Sequence, residues 1–321
     1  MRQTSLARLY ETHRHSLSLT HLSGRLDARL SVGEERIWPA DLVGHLNLIH
    51  PTRLQILGTA ELAWAQRQSN EKVARHLNEI LSAKPPAIIV ADGCEVPNII
   101  HGVCEAHDVA LFTARHPSAG VIDQLRLYLS RELAEKVSLH GVFMDVLGLG
   151  VLITGDSGAG KSELGLELIS RGHGLVADDV VELSRVAPTV LEGRCPEMLQ
   201  DFIEVRGLGL LNIRTIFGET ACRRKMRLRL ICHLDRRQPG PDDPSRLPLQ
   251  QETQDILGVK IGRVVLPVAA GRNLAVLLEA AVRSTILQLR GIDSTQEFIE
   301  RQARALQANA GDPGDTGGVQ A

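Results

Sequence analysis

The chain of 321 residues carries 36 Lys and Arg against 38 Asp and Glu, a net charge of −2, with 43% apolar and 23% charged residues. This is ordinary globular composition, long enough for two domains, and the near-neutral charge gives no electrostatic reason to expect nucleic acid or an anionic membrane as a partner. No apolar run approaches the about 20 residues of a spanning helix, and five Phe, two Tyr and two Trp leave the core to Leu, Val, Ile and Ala.

Arg2, Arg8, His13, Arg14 and His15 have no apolar stretch behind them, so no secretory leader is expected. Cys94, Cys104, Cys195, Cys222 and Cys232 are dispersed without CxxC spacing, which favours a reducing cytoplasm and buried thiols over disulfides or zinc.

Residues 1–130 read as an N-terminal α/β domain. Ser5–Thr12 opens it, and mixed segments run to Ile56. Leu62, Ala63, Ala65, Val73, Leu77 and Ile80 recur at helical spacing and predict one helix over 58–81. Pro85–Val90 is a short buried strand, Pro97–His107 a helix and Val109–Phe112 a second strand, together a parallel crossover. The Asp92-Gly93 turn lies at a strand's C-terminal end with no catalytic group around it, and is read as structural. Leu125, Leu127, Leu129, Leu133 and Val137 mark an amphipathic helix over 121–137, which leads to His140 and connects the domains.

The second domain is expected over 131–310, followed by a disordered tail at 311–321. Gly141–Val146 and Gly150–Thr154 form a hairpin across Leu147-Gly148-Leu149. Gly174–Ala177, Phe202–Val205 and Arg227–Leu234 are strands. In the last, Lys225, Arg227 and Arg229 alternate with apolar residues, as on a solvated edge strand. Asn273–Leu289 is a helix stopped by Gly291, and Ser294-Thr295-Gln296-Glu297 is a capping box starting a final helix to about residue 308.

The chemistry concentrates in Gly155, Asp156, Ser157, Gly158, Ala159, Gly160, Lys161 and Ser162, which match G-x-x-x-x-G-K-[ST] between an apolar strand and a helix. Glycines let backbone N–H groups converge on phosphate oxygens, and the helix start adds its dipole. Lys161 supplies a mobile charge for the terminal phosphates, and the Ser162 hydroxyl suits Mg²⁺. Gly174-Leu175-Val176-Ala177-Asp178-Asp179 is an apolar strand ending in two carboxylates, one suited to the metal shell and the other to a proton. Asp235 is a competing acidic strand end, weakened by Arg236 and Arg237. Glu204 and Arg206 flank a Gly-x-Gly turn as a metal carboxylate and a phosphate guanidinium. His140 and His173 are lone histidines with a structural alternative, and Arg246 sits in a Pro- and Asp-rich loop.

His140-Gly141-Val142, GDSGAGKSE, VADD (Val176–Asp179) and EVRGLGLLN (Glu204–Asn212), in this order, resemble the bacterial HPr kinase/phosphorylase family. Leu46–Pro51 and Gln55–Gly58 resemble its N-terminal domain more weakly. The resemblance implies an α/β fold whose catalytic domain is like phosphoenolpyruvate carboxykinase. It implies a bifunctional regulator of sugar uptake that phosphorylates a serine of the phosphocarrier HPr with ATP or pyrophosphate, and removes that phosphate with inorganic phosphate to give pyrophosphate. It further implies a homo-hexamer, Gly155–Ser162 as the phosphodonor cradle, and Mg²⁺ on Ser162 and Glu204. His140, Lys161, Asp179 and Arg246 match active-site positions, with Asp179 accepting the serine proton and returning it in reverse. Ile203–Asn212 matches a segment tied to both activities, and Pro267–Arg272 one tied to dephosphorylation. In that last segment Ala270 stands where Pro is usual, and the lost φ restraint loosens the loop. A P-loop small-molecule kinase and a non-catalytic nucleotide sensor are the rival readings.

Overall fold

The computed structural model describes residues 2–33, 38–236 and 252–310. The fold is mixed α/β, and the chain divides after Glu135 into two compact units.

In the first unit β1 (Arg2–Ser5), α1 (Leu6–His13), β2 (Leu19–Ser23), β3 (Arg29–Val32), β4 (Val43–His45) and β5 (Leu54–Leu57) lead into α2 (Thr59–Gln66) and α3 (Asn70–Ser82). Then come β6 (Ala87–Val90), α4 (Asn98–Ala106), β7 (Ala110–Ala114) and α5 (Ser118–Glu132). The main sheet runs β2-β7-β6-β5-β4, parallel from β4 to β7 with β2 antiparallel at one edge. Alternation sends Ile56, Ile89 and Phe112 against Val121, Leu125 and Leu129 of α5, and Ile88, Val90 and Leu111 against Val73 and Leu77 of α3. Covering on both faces is why Ala87–Val90 is an unbroken apolar run.

Two helix expectations change. The single helix over 58–81 is broken at Gln68-Ser69, where the Ser69 hydroxyl accepts from Lys72 N–H at 3.4 Å and starts α3 anew. Apolar spacing persists across the break because both helices bury the same face. The helix expected to reach Val137 ends at Glu132, and Val137 belongs to the next strand. Asp92, at φ 60°, accepts from Thr59 N–H and Ser118 N–H, both at 2.6 Å, and so ties the starts of α2 and α5 together. Burial raises its carboxyl pKa, but hydrogen bonds from Thr59 and Ser118 outweigh this and hold it below the ordinary value.

The second unit contains β8 (Glu135–His140), β9 (Val142–Val146), β10 (Leu149–Gly155), α6 (Lys161–Ser170), β11 (Gly174–Ala177), β12 (Val180–Ala187) and β13 (Val190–Arg194). These are followed by β14 (Phe202–Val205), β15 (Gly209–Asn212), α7 (Ile213–Phe217), β16 (Lys225–Asp235), β17 (Glu252–Ile256), β18 (Val259–Pro267), α8 (Leu274–Leu289) and α9 (Ser294–Ala310). β9 and β10 are joined through Leu147 (φ 54°) and Gly148 (φ 83°), the two left-handed residues of a tight primed turn. The large sheet runs β11-β9-β10-β16-β13-β12-β8, with β18 beside β16 and β17 beyond it. Val151 and Ile153 pack with Leu164 and Leu168 of α6 and Leu278 of α8, whereas Leu152 faces Leu183, Leu228 and Ile231.

β16 as a whole lies inside the large sheet, but its basic stripe occupies the end where the register is one-sided: Lys225–Arg227 pair with β13, while β10 joins at Leu228 and β18 at Leu230. The stripe's charges remain exposed because that end of the sheet face is uncovered, and Lys225 bridges Glu192 at 3.1 Å. At the start of α9 the Asp293 carboxylate accepts from Gln296 N–H at 3.2 Å. The tail expected at 311–321 lies outside the described residues.

Candidate functional site

The parallel pairing of β10 with β16 builds the site. Gly155 lies beside Leu234, where a Cβ would meet the Leu234 carbonyl oxygen at 2.7 Å, so only glycine lets the strand turn into the loop here. The loop closes with Ala159 N–H donating to Asp156 O at 3.1 Å and Ala159 buried beneath it. Gly160 at φ 89° opens α6. Lys161 Nζ donates to Gly155 O and Asp156 O, both at 3.0 Å, which holds its ammonium over the loop. Asp156, Ser157 and Gly158 are exposed.

β11 delivers the two carboxylates to different environments. Asp178 is buried and accepts from the Ser162 hydroxyl at 3.1 Å and from Glu204 N–H at 2.8 Å. Burial pushes its pKa up, opposed by hydrogen bonds from Glu204, Ser162 and Asp179. Asp179, one residue on, is 74% exposed at φ 62° and stands 3.4 Å from His140 Nδ1. Ile203 and Val205 anchor β14 in the core, and the alternation leaves the Glu204 side chain outside. Asp178 thus joins the loop, the strand end and β14 through one side chain.

Gly155–Ser162, Asp178, Asp179, His140 and Glu204 are linked by these strand and hydrogen-bond connections. Arg246 lies outside the described residues. His173 is elsewhere, buried and bonded to Glu279 at 2.9 Å, with Arg171 donating to the same carboxylate at 2.7 Å. Those bonds, from Arg171 first and His173 second, hold the Glu279 pKa down to about 2. Asp235 ends β16, and its carbonyl accepts from Val268 N–H at 2.7 Å, which brings 267–272 beside that strand end. Sequence reading placed Asp178 and Asp179 together but had no means to separate their roles. It also took Arg236 only as a neighbour of Asp235, whereas Arg236 and Arg206 both approach Gly158. The parallel β10–β16 register causes that approach, and no local motif carries it.

Four cysteines are buried and Cys94 is half-buried, all unpaired. Burial pushes Cys104 and Cys232 up to about 12, and chiefly burial pushes Cys195 and Cys222 up to about 11. Among the described residues no three His, Cys, Asp or Glu side chains are grouped as metal ligands. The donors near the loop are the oxygens of Ser162, Asp178 and Glu204. A sparse oxygen set of this kind fits Mg²⁺, which completes its shell with phosphates and water.

Residues 131–302 match the family model described as the HPr Serine kinase C-terminal domain, and residues 5–129 match the HPr Serine kinase N terminus. The chain belongs to the HPr serine kinase family. A protein named HPr kinase/phosphorylase from Azoarcus sp. is 82% identical over 306 residues, covering 95% of this chain and 98% of the relative. One of the same name from Aromatoleum aromaticum is 75% identical, covering 98% and 99%. Another from Burkholderia cenocepacia is 59% identical, covering 84% and 83%. The HPr serine kinase matches run through both units.

Proposed function

We propose that this chain is a bifunctional HPr kinase/phosphorylase that moves a phosphoryl group between a nucleotide or pyrophosphate and a serine of HPr. The observation that carries the reading is the Asp178–Ser162 hydrogen bond at 3.1 Å. It fastens the β11 strand end to the phosphate loop, and so holds the exposed Asp179 beside the place where a terminal phosphate would lie.

In the kinase direction the serine oxygen attacks the terminal phosphorus, its proton passes to the Asp179 carboxylate, and the bond to the ADP or phosphate leaving group breaks. In the reverse direction an oxygen of inorganic phosphate attacks the phosphorus of seryl phosphate. The P–O bond to serine breaks, protonated Asp179 gives its proton to the serine oxygen, and pyrophosphate leaves. His140 positions Asp179 through the 3.4 Å contact. Lys161 turns from the carbonyls of Gly155 and Asp156 to the phosphates. Ser162 and Glu204, both fixed by Asp178, would hold Mg²⁺, which would neutralise charge on the phosphate oxygens. Arg246 adds a further cation from 237–251. The protein works in the cytoplasm as a homo-hexamer and regulates sugar uptake.

Incubation with γ-labelled ATP and HPr tests the reading. Label on an HPr serine supports it, label on a metabolite indicates a small-molecule kinase, and binding without transfer indicates a sensor. Seryl-phosphorylated HPr with inorganic phosphate should release pyrophosphate, and its absence would reduce the enzyme to a kinase.

A further inference from the structure

Two guanidinium groups converge on the middle of the phosphate loop. A Cβ on Gly158 would lie 3.7 Å from both terminal nitrogens of Arg206 and 3.9 Å from Nη1 of Arg236. The two arrive from unrelated elements. Arg206 occupies the turn between β14 and β15, which is closed by Leu208 N–H donating to Val205 O at 3.0 Å. Arg236 is the first residue past β16, and the pairing of Leu234 with Gly155 carries that strand end alongside the loop. Both side chains are exposed, and among the described residues neither has a hydrogen-bond or ion-pair partner.

Like charges gathered at one point without a counter-ion repel each other. Such an arrangement becomes favourable when an anion is bound between the charges, and a phosphate is the anion this loop is shaped for. Gly158, at φ 76°, presents no side chain to obstruct the approach. Lys161 is bonded back to Gly155 and Asp156, at the strand end of the loop. The two arginines therefore cover the exposed middle of the cradle, which the lysine does not occupy. On its other side β16 borders β18, Asp235 pairing with Pro267. Arg236 thus stands where the phosphate loop and the start of 267–272 come together.

We infer that Arg236, acting with Arg206, is a phosphate-contacting residue of this enzyme. It holds the terminal phosphate of the donor in the forward direction and inorganic phosphate in the reverse. The inference rests on the proposed use of Gly155–Ser162 as the phosphate cradle. Its planar fork presents paired N–H donors to two oxygens of one phosphate, which a lysine ammonium does not reproduce.

The test is isothermal titration of magnesium pyrophosphate into the full-length protein without HPr, using wild type, Arg236→Gln, Arg236→Lys, Arg206→Gln and the double Gln variant. Loss of one charge-assisted contact should weaken pyrophosphate binding by about 10- to 100-fold in Arg236→Gln. Arg236→Lys should recover part of that loss. The double variant should lose less than the product of the single effects, because both groups share one anion. Melting temperatures should match wild type, since Arg236 is exposed and unpartnered. Arg236→Gln binding pyrophosphate within twofold of wild type would overturn the inference. The HPr assay on wild type separates this from the parent reading. Failure to label HPr alongside Arg236-dependent pyrophosphate binding sinks the assigned acceptor and leaves Arg236 in place. Labelled HPr with normal binding by Arg236→Gln sinks the Arg236 role alone.

Discussion

Asp178 and Asp179 are adjacent carboxylates of the same type, and the structure gives them opposite responses to the same substitution. In Asp178→Asn the amide oxygen can still accept from Glu204 N–H, but the NH₂ group then faces the Ser162 hydroxyl, which must turn from donor to acceptor and leaves its own O–H without the carboxylate. An unsatisfied buried donor costs about 1–3 kcal/mol. The change also relieves part of the desolvation that raises the Asp178 pKa, which offsets some of that cost. The net loss is about 1–2 kcal/mol, or a fall of roughly 2–8 °C in melting temperature for a unit of this size. Asp179→Asn removes a charge that is 74% exposed, and asparagine tolerates its φ of 62°. Its effect on stability should stay within about 0.5 kcal/mol. Scanning calorimetry of the two variants and wild type reads the difference. Transfer to HPr should fall by about 100-fold or more in Asp179→Asn with nucleotide binding retained, while Asp178→Asn loses affinity for magnesium nucleotide along with stability. The reasoning is refuted if Asp178→Asn melts with wild type while Asp179→Asn loses several degrees, or if Asp179→Asn transfers phosphate normally.

Gly155→Ala drives a methyl group into the Leu234 carbonyl at 2.7 Å, and nucleotide affinity should fall at least tenfold by titration, with folding preserved by circular dichroism. The Glu279 carboxyl has an ordinary value of 4.5 and is held at about 2, so its stabilisation is complete above about pH 4.5 and is lost as pH falls towards 2. Allowing for solvent screening at the half-exposed Arg171, Glu279→Gln should cost about 1–2 kcal/mol at pH 7, and its difference from wild type in urea unfolding should shrink steadily below pH 4.5. Asp92→Ala removes the shared cap of α2 and α5 and should destabilise the first unit by about 2–4 kcal/mol, read by amide exchange in those helices. Kinase activity of the folded fraction should be unchanged.

The strand–loop–helix at Gly155–Ser162 was legible because its motif lies in consecutive residues: glycines for the tight loop, then Lys161 and Ser162 at the helix start. The strands β6, β7, β11 and β14 were legible because apolar runs of that length, bounded by turn residues, have few other uses. Helix ends were less so. Apolar spacing continued across Ser69 and past Glu132, and only hydrogen bonding marks where each helix stops. The basic stripe's alternation records which side chains meet water, while how far along β16 each neighbour pairs is set by its registers with β10, β13 and β18.

By itself the sequence presented the residues on which the proposed chemistry rests: the Gly155–Ser162 motif, paired carboxylates and a second acidic strand, each encoded within a few neighbouring residues. Tertiary structure decided the division of labour. Burying Asp178 against Ser162 and Glu204 makes it a fastening, and leaving Asp179 exposed beside His140 makes it available to a substrate proton. It also brought Arg206 and Arg236 to Gly158 through strand pairing between segments far apart in the chain. Burial and convergence depend on long-range contacts, and local residue patterns do not encode them.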